Sequence, residues 1–391
     1  MSRQQPPATE RKTSSGWYMT RSYKILSVVL ILVAAALLAL ALAVSRDSPC
    51  VPAPAPASKA MLMKAVVHRC YGTPDVLTYE DIEKPTPADD EVLVRVRAAS
   101  VNPLDWHYLR GTPYLMRLEA GFGKPDNPRL GVDFAGTVEA VGKSVSRFKP
   151  GDEVFGGKFG ALAEYVSVRE NRALALKPSN VTFEQAAAVP VAGITALQAL
   201  RDKGRIQAGQ KVLIIGASGG VGTFAVQLAS SFGAEVTGVC STRNVELVRS
   251  LGAAHVIDYT REDFHNSGLQ YDLIVDNVGN RSMAELLAFR RILTPKGVFV
   301  LIGGGGPNAG RWIGPMATPV DALIMSPFVS QKFGMMLAEL TKDDLAVLGD
   351  LMQSGKVTPV IDRRYKLSEA AEALRYLEAG HARGKVILSV E

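Results

Sequence analysis

The stretch KVLIIGASGGVG, Lys211 to Gly222, joins a short apolar run to a cluster of glycines, and the run Thr223 to Ala229 follows it without interruption. Val212 to Ile215 has the length and branched apolar character of a buried strand, and the residues behind the glycines fit a buried helix. Gly216, Gly219 and Gly222, with Gly220 between them, let the chain turn without Cβ clashes. The helix start then presents unpaired N–H groups and the positive end of its dipole, which suit a phosphate. A glycine turn alone is often only a turn. Here a strand precedes it, a helix follows, and a second apolar strand, Glu235 to Cys240, comes about twenty residues on, which is the context of a dinucleotide-binding turn.

Working outward, His255 to Ile257, Leu273 to Asp276 and Val298 to Ile302 read as further strands alternating with helices, which implies a parallel sheet covered on both faces. Upstream, Lys64 to His68, Glu91 to Ala98, Gly136 to Val141, Glu153 to Phe155 and Ala163 to Val168 are short strand-like runs punctuated by Gly and Pro, the pattern of a β-rich domain. Phe183 to Leu200 follows a helical period. Downstream, Leu345 to Leu351 and Ser368 to Glu378 read as helices, the latter with Ser368 as its capping residue, and Lys385 to Val390 as a last strand. No internal repeat is visible.

Ile25 to Ser45 is 21 residues without a charge. At about 1.5 Å per helical residue this crosses a hydrocarbon core of roughly 30 Å, so it reads as a transmembrane helix. A cleavable signal peptide is the alternative, since Ala41-Leu42-Ala43 fits the small-x-small rule, but the apolar run is longer than an ordinary signal core. A translation start at Met61 or Met63 would remove the segment altogether. Pro52 to Ser58, PAPAPAS, is a stiff polyproline-type spacer.

The 391 residues suffice for two domains with sizeable cores, and 47% hydrophobic with 21% charged residues excludes disorder for most of the chain. Of the net charge of +6, five basic residues against Glu10 place +4 in the first 24 residues. The remaining +2 forms no basic block, so nucleic acid is not an expected partner. Cys50, Cys70 and Cys240 are odd in number and far apart, which gives neither a disulfide framework nor a structural zinc spacing.

The runs MKAVVHRCYGTPDVL, VLVRVRAASVNPLDWH, LGVDFAGTVEAVG, FKPGDEVFG, AEYV, PVAGITALQAL, IIGASGGVG, LGAAHVIDY and GHARGKVIL, in this order from Met63 to Glu391, resemble the zinc-independent medium-chain dehydrogenase/reductases of the quinone oxidoreductase and alkenal reductase group. The resemblance implies an α/β chain: a GroES-like, β-rich catalytic domain at 63–185, a Rossmann doubly wound parallel sheet at 186–326, and a C-terminal segment, 327–391, that rejoins the first domain. A basic tail at 1–24, the span at 25–45 and a Pro/Ala linker at 46–62 precede them. Zinc-dependent members of the superfamily carry Cys and His ligands early in the first domain and in a Gly-His-Glu motif. Here the matching stretches read Ser100-Val101-Asn102-Pro103-Leu104-Asp105 and Gly131-Val132-Asp133-Phe134, without thiolate or imidazole, so no metal is expected. Hydride transfer to an already polarised C=C bond or to a quinone needs no Lewis acid and fits better than zinc-assisted alcohol oxidation.

An NAD site usually ends its second strand with an acid. This chain has Ser241, Thr242, Arg243 and Asn244 there, which favours the 2′-phosphate of NADPH. With the glycines, Ser218 and Val221 belong to the phosphate turn. The resemblance adds Thr195, Tyr259, Asn277, Gly279, Gly303 and Lys385 as cofactor positions and places Asn102 near the nicotinamide. His107 is a candidate to hydrogen-bond the substrate oxygen and Tyr114 is the second; both also suit a plain pocket wall. His68, His255, His265 and His381 carry no motif. Gly303 to Met336, loop-like and then strongly apolar, is expected to line the pocket or pack in a homodimer, with membrane contact as the alternative.

The expectation is a membrane-anchored NADPH-dependent reductase of small carbonyl-activated alkenes or quinones. The alternatives are an enoyl-thioester or alcohol/aldehyde oxidoreductase, and a scaffold that binds NADPH without turnover. The basic N-terminal flank argues for a domain sent across the membrane. NADPH supply and three unpaired-looking cysteines argue for a cytoplasmic one, and the expectation is cytoplasmic.

Overall fold

A computed structural model describes residues 15–52, 61–266, 268–307, 310–312, 318 and 330–390 of the chain. The chain divides into two compact units, Met1–Arg46 and Asp47–Glu391. In the first, helix α1 (Ser15–Ser45) contains the uncharged run and starts ahead of it. From Tyr23 to Leu40 its side chains are exposed, and the segment Tyr23–Ser45 is long and apolar enough to cross a membrane.

The second unit opens with a hairpin of β1 (Leu62–His68) and β2 (Leu77–Glu83). Then come β3 (Glu91–Val101), α2 (Pro103–Arg110), the short α3 (Arg117–Ala120), β4 (Asp133–Val141), β5 (Glu153–Gly157), β6 (Tyr165–Arg169) and β7 (Leu174–Leu176). Pro190 divides the expected helix between 183 and 200 into α4 (Phe183–Ala187) and α5 (Pro190–Gln198), because the proline ring excludes an N–H bond inside a helix but fits its first turn.

Next, β8 (Lys211–Ile215), α6 (Gly220–Ser231), β9 (Glu235–Cys240), α7 (Val245–Ser250), β10 (His255–Asp258), β11 (Tyr271–Asp276), α8 (Met283–Ile292), β12 (Leu293–Leu301) and β13 (Lys332–Met335) follow. Their six strands form one parallel sheet in the order β10-β9-β8-β11-β12-β13. This is the doubly wound Rossmann order, whose direction reverses between β8 and β11. The strands read as unbroken apolar runs because both faces are buried: α8 covers one, where Leu213, Ile215 and Ile274 meet Leu286 and Phe289, and α5 and α6 cover the other. Val212, Ile214, Phe224 and Leu228 meet there in the largest core.

Finally α9 (Lys342–Gln353), β14 (Ile361–Lys366), α10 (Ala370–Glu378) and β15 (Lys385–Ser389) return the chain to the first sheet. β15 pairs with β3, giving the seven-stranded order β14-β15-β3-β4-β5-β7 with β6 alongside β3. The fold is thus mixed α/β with GroES-like and Rossmann-like sheets.

Four expectations change. β13, read as part of the closing segment, is the sixth strand of the parallel sheet, and most of the apolar stretch before it lies outside the described residues. Ser368 is not a helix cap: it sits inside a 3₁₀ turn, Leu367–Glu369, and Glu369 flanks α10. Cys50 and Cys70 are joined in a disulfide; only Cys240 is free, and it is buried. The bond forms because the start of the linker folds back onto the catalytic unit. The Ser48 N–H donates to the Gly123 carbonyl at 2.8 Å, and Asp47 pairs with Arg117 at 2.8 Å. Asp47 to Cys50 is therefore a docked strap rather than a free spacer. Residues 53–60, with most of the PAPAPAS run, lie outside the described residues.

Candidate active site

At the end of β8 the chain turns through Gly216, whose φ of 71° is the left-handed region that favours glycine, and enters α6 behind Gly219. A Cβ on Gly222 would stand 2.1 Å from the Gly216 carbonyl oxygen, so only glycine lets the helix start close onto the turn. The loops after β11 and β12 also touch: a Cβ on Gly279 would stand 1.8 Å from the Gly303 carbonyl oxygen. Asn277 donates to the Ile215 carbonyl at 2.9 Å, while its buried Oδ1 has no partner. The carboxyl ends of β8, β11 and β12 thus converge at the point where strand order reverses. Bare backbone, a helix N-terminus and an unspent acceptor meet there, and this is where a dinucleotide fits an open α/β sheet.

Beyond β9, the side chain of buried Asn244 bonds Ser218 Oγ at 2.9 Å and Ser241 Oγ at 3.3 Å, tying the second strand end to the glycine turn. Thr242 Oγ1 donates to Asp258 Oδ2 at 2.5 Å, and this bond leads the causes that hold the Asp258 carboxyl below its ordinary value. Arg243 is exposed and donates to the His381 carbonyl at 2.7 Å. Tyr259 is exposed beside Cys240, its N–H on the Cys240 carbonyl at 3.1 Å. Thr195, buried in α5, spends its hydroxyl on the Val191 carbonyl at 2.6 Å.

β15 carries the link between the two sheets. Gly384 bridges Gly219 and donates to the Ser218 carbonyl at 2.9 Å, so the next residue, Lys385, lies beside the phosphate turn. Its ammonium, 3% exposed, turns to the other sheet, where it donates to Asn102 Oδ1 at 2.6 Å and Asp133 Oδ2 at 3.1 Å. Asn102 Nδ2 and Ser100 Oγ also donate to Asp133 Oδ2, at 2.9 and 2.8 Å, and the Val191 N–H to its Oδ1 at 2.9 Å. Asp133 is fully buried and is neutralised by one cation and a full set of donors, as a buried charge must be. Asp105 is equally buried: it accepts the Asn102 N–H at 2.7 Å, but its Oδ1 has no partner. Burial, before any neighbouring charge, pushes its carboxyl up to about 7.

Asn102 stands at the N-terminal cap position of α2, where its N–H is held by Asp105, and the helix carries His107. The His107 Nδ1 lies 2.7 Å from the Thr112 carbonyl oxygen, an acceptor, so Nδ1 bears the hydrogen and the neutral ring presents Nε2 as an acceptor. Burial lowers the pKa of the ring, which opposes the doubly protonated form. Tyr114 is buried with its ring 5.0 Å from Trp312, edge-on, and its N–H donates to the Arg311 carbonyl at 2.7 Å. The loop after β12 therefore reaches Tyr114, and Asn102 is tied to β15 through Lys385, whereas the described contacts of His107, to Thr112 and Trp106, stay within its own segment.

In sequence, the chain is 36% identical over 344 residues to the NADPH-dependent alkenal/one oxidoreductase of Arabidopsis thaliana, covering 83% of this chain and 79% of that one. The chain belongs to the medium-chain dehydrogenase/reductases. Two family models match: the alcohol dehydrogenase GroES-like domain over residues 88–179 and a zinc-binding dehydrogenase model over residues 251–388. The quinone oxidoreductase of Coxiella burnetii has a similar structure, with a TM-score of 0.71 at 31% identity over 85% of this chain and all of that one. So does the Escherichia coli quinone oxidoreductase complexed with NADPH, at 0.71 and 26% over 84% of this chain and all of that one. One of the two models is described by zinc binding, and among the described residues no three His, Cys, Asp or Glu side chains gather as metal ligands would.

Reading the sequence missed the roles of Asp133 and Asp105. A carboxylate at the head of the apolar run DFAGTV was a usable signal, since a charge in a buried strand requires a partner. Asp276 is similar. It ends β11 fully buried, and Arg281 holds it at 2.7 and 3.1 Å.

Proposed function

We propose that this medium-chain oxidoreductase transfers hydride from NADPH to the activated double bond of an enone or enal, or to a quinone, in the crevice at the β8, β11 and β12 strand ends. The observation that carries the reading is the double attachment of β15: Gly384 on the glycine turn and Lys385 on Asn102 and Asp133. That fixes the catalytic sheet against the nucleotide sheet. The names of its relatives, an alkenal/one oxidoreductase and two quinone oxidoreductases, point the same way.

The turn Gly216 to Gly222, with Ser218, Val221, Asn277, Gly279 and Gly303 around it, would hold the pyrophosphate and nicotinamide ends, and Ser241 to Asn244 with Tyr259 the adenosine phosphate. Bound there, NADPH supplies the hydride. Lys385 orients Asn102 and does not itself reach for phosphate. His107, neutral and with Nδ1–H committed to Thr112, accepts a hydrogen bond at Nε2 and so positions a hydroxyl-bearing group. It protonates a substrate oxygen only as imidazolium. The proton for the developing enolate then comes from Tyr114 or from water.

NADPH oxidation followed with a panel of enals, enones, quinones and enoyl thioesters tests the reading. Turnover with enals or quinones supports it, turnover confined to enoyl thioesters moves the substrate class, and NADPH binding without consumption by any of them leaves a scaffold. In the same assay Tyr114→Phe should lower turnover more than His107→Ala, and the reverse order would assign the proton to His107.

We also propose the domain limits 63–185, 186–326 and 327–391, adjusted so that β13 counts with the nucleotide sheet, and a single-pass anchor at 25–45. For the face of the membrane, the Cys50–Cys70 bond removes the argument from unpaired cysteines and joins the basic N-terminal flank in favouring the non-cytoplasmic side. The cytoplasmic placement we retain rests on NADPH supply alone.

A further inference from the structure

The segment from Tyr114 to Gly123 exposes three large apolar side chains within eight residues: Leu115 at 57%, Leu118 at 49% and Phe122 at 53%. Leu115 and Leu118 stand three apart across consecutive helical turns, so they share a face. Trp312, 47% exposed, packs edge-on against Tyr114, the residue before Leu115. The one strong cation of the segment turns away. Arg117 is buried between the rings of Tyr71 and Tyr114, at 4.3 and 4.6 Å, and pairs with Asp47. What remains outside is an apolar tip flanked by charges of both signs, the exposed Glu119 and Asp126 and the exposed Lys124 and Arg311.

The strap that follows the apolar helix is fastened to this same segment as well as to Cys70: Asp47 pairs with Arg117, and the Ser48 N–H donates to the Gly123 carbonyl. Ser48 lies three residues beyond Ser45, the last residue of the span, and three residues extend at most about 10 Å. A bilayer holding the span is therefore within one short tether of Gly123. Apolar and Trp side chains so placed meet the region where chain and headgroup mix, which favours both.

We propose that Leu115, Leu118, Phe122 and Trp312 form a second membrane contact, seated in the lipid interface beside the anchor, with the lipid surface as partner. This rests on the reading of residues 25–45 as a membrane span. It turns the Tyr114 end of the pocket toward the bilayer, so a lipid-dissolved quinone or alkenal reaches the site from the membrane.

Nitroxide labels on the full chain in phosphatidylcholine vesicles test it, placed singly at Leu118→Cys, Phe122→Cys, Val347→Cys as an exposed site on α9, and Leu37→Cys in the span. These positions are exposed, so the variants keep the packed cores. The expected result is that labels at 37, 118 and 122 collide more with oxygen than with a water-soluble metal complex, while the label at 347 shows the reverse. A lipid-buried label at 37 with aqueous labels at 118 and 122 overturns the second contact and keeps the anchor. An aqueous label at 37 overturns the anchor and the contact with it.

Discussion

Asp105 is a carboxyl held where its charge is poorly supported, since burial raises it from the ordinary 3.8 to about 7. Between those values the folded chain keeps a proton that the unfolded chain has released. The stability from this proton is full below about pH 4 and is lost as pH rises through about 7, a loss on the order of 4 kcal/mol. Asp105→Asn keeps an acceptor for the Asn102 N–H and has no proton to lose. The variant should therefore lack the part of the wild-type fall in melting temperature between pH 5 and 7.5 that Asp105 causes; an undiminished fall would assign it to another group. If the Arg243 guanidinium leaves the His381 carbonyl for the 2′-phosphate, Arg243→Ala weakens NADPH roughly ten- to a hundredfold and leaves NADH nearly unchanged. Equal weakening of both cofactors, by titration, would show that another group reads the phosphate.

At the scale of elements, the strand β8, its turn and helix α6 act as one unit because the helix starts in contact with the turn it leaves. Gly222→Ala puts a Cβ 2.1 Å from the Gly216 carbonyl oxygen, and the turn must open to admit it. NADPH affinity should fall at least about tenfold, which is 1.4 kcal/mol, while far-ultraviolet circular dichroism keeps its helical signal. Unchanged affinity would mean that the phosphates are not bound on this turn. The same scale explains where the strand pattern faded. β14, IDRRYK, has little apolar alternation and becomes a strand by pairing in parallel with β15. β13, KFGM, holds its place at the sheet edge through β12.

For the whole molecule, the Cys50–Cys70 bond closes a loop with a sequence separation of 20. In the chain-entropy account, closing it in the unfolded state contributes about 3 kcal/mol. Dithiothreitol, or Cys50→Ser, should lower the melting temperature of the purified chain, and neither should add to the other; no change on reduction would mean that the strap is held by Asp47 and Ser48 alone. The bond also bears on membrane face. A cytoplasmic domain predicts that a tag after Glu391 resists external protease in sealed cells and that both thiols react with maleimide on lysis. A digested tag with blocked thiols would put the domain on the far side and require a pool of NADPH there.

Much of this architecture depends on local pattern and was legible for that reason. Strand–glycine–helix at 211–231, the alternation that builds a parallel sheet and the missing ligand types at 100–105 and 131–134 follow from residue type and spacing alone. The uncharged run at 25–45 was legible in the same way. The membership and broad chemistry of the family came with those motifs. The sequence could not show which buried charges would meet. Asp133 and Lys385 are 252 residues apart, and Asn102 and Lys385 are 283 apart; they become partners only because β15 returns to β3 while Gly384 touches Gly219. Cys50 and Cys70 likewise read as unpaired until the strap folded back to bring their Cα atoms within 4.8 Å. Spacing along the chain records periodicity within an element, whereas a long-range ion pair or disulfide is decided by how the sheets close in space.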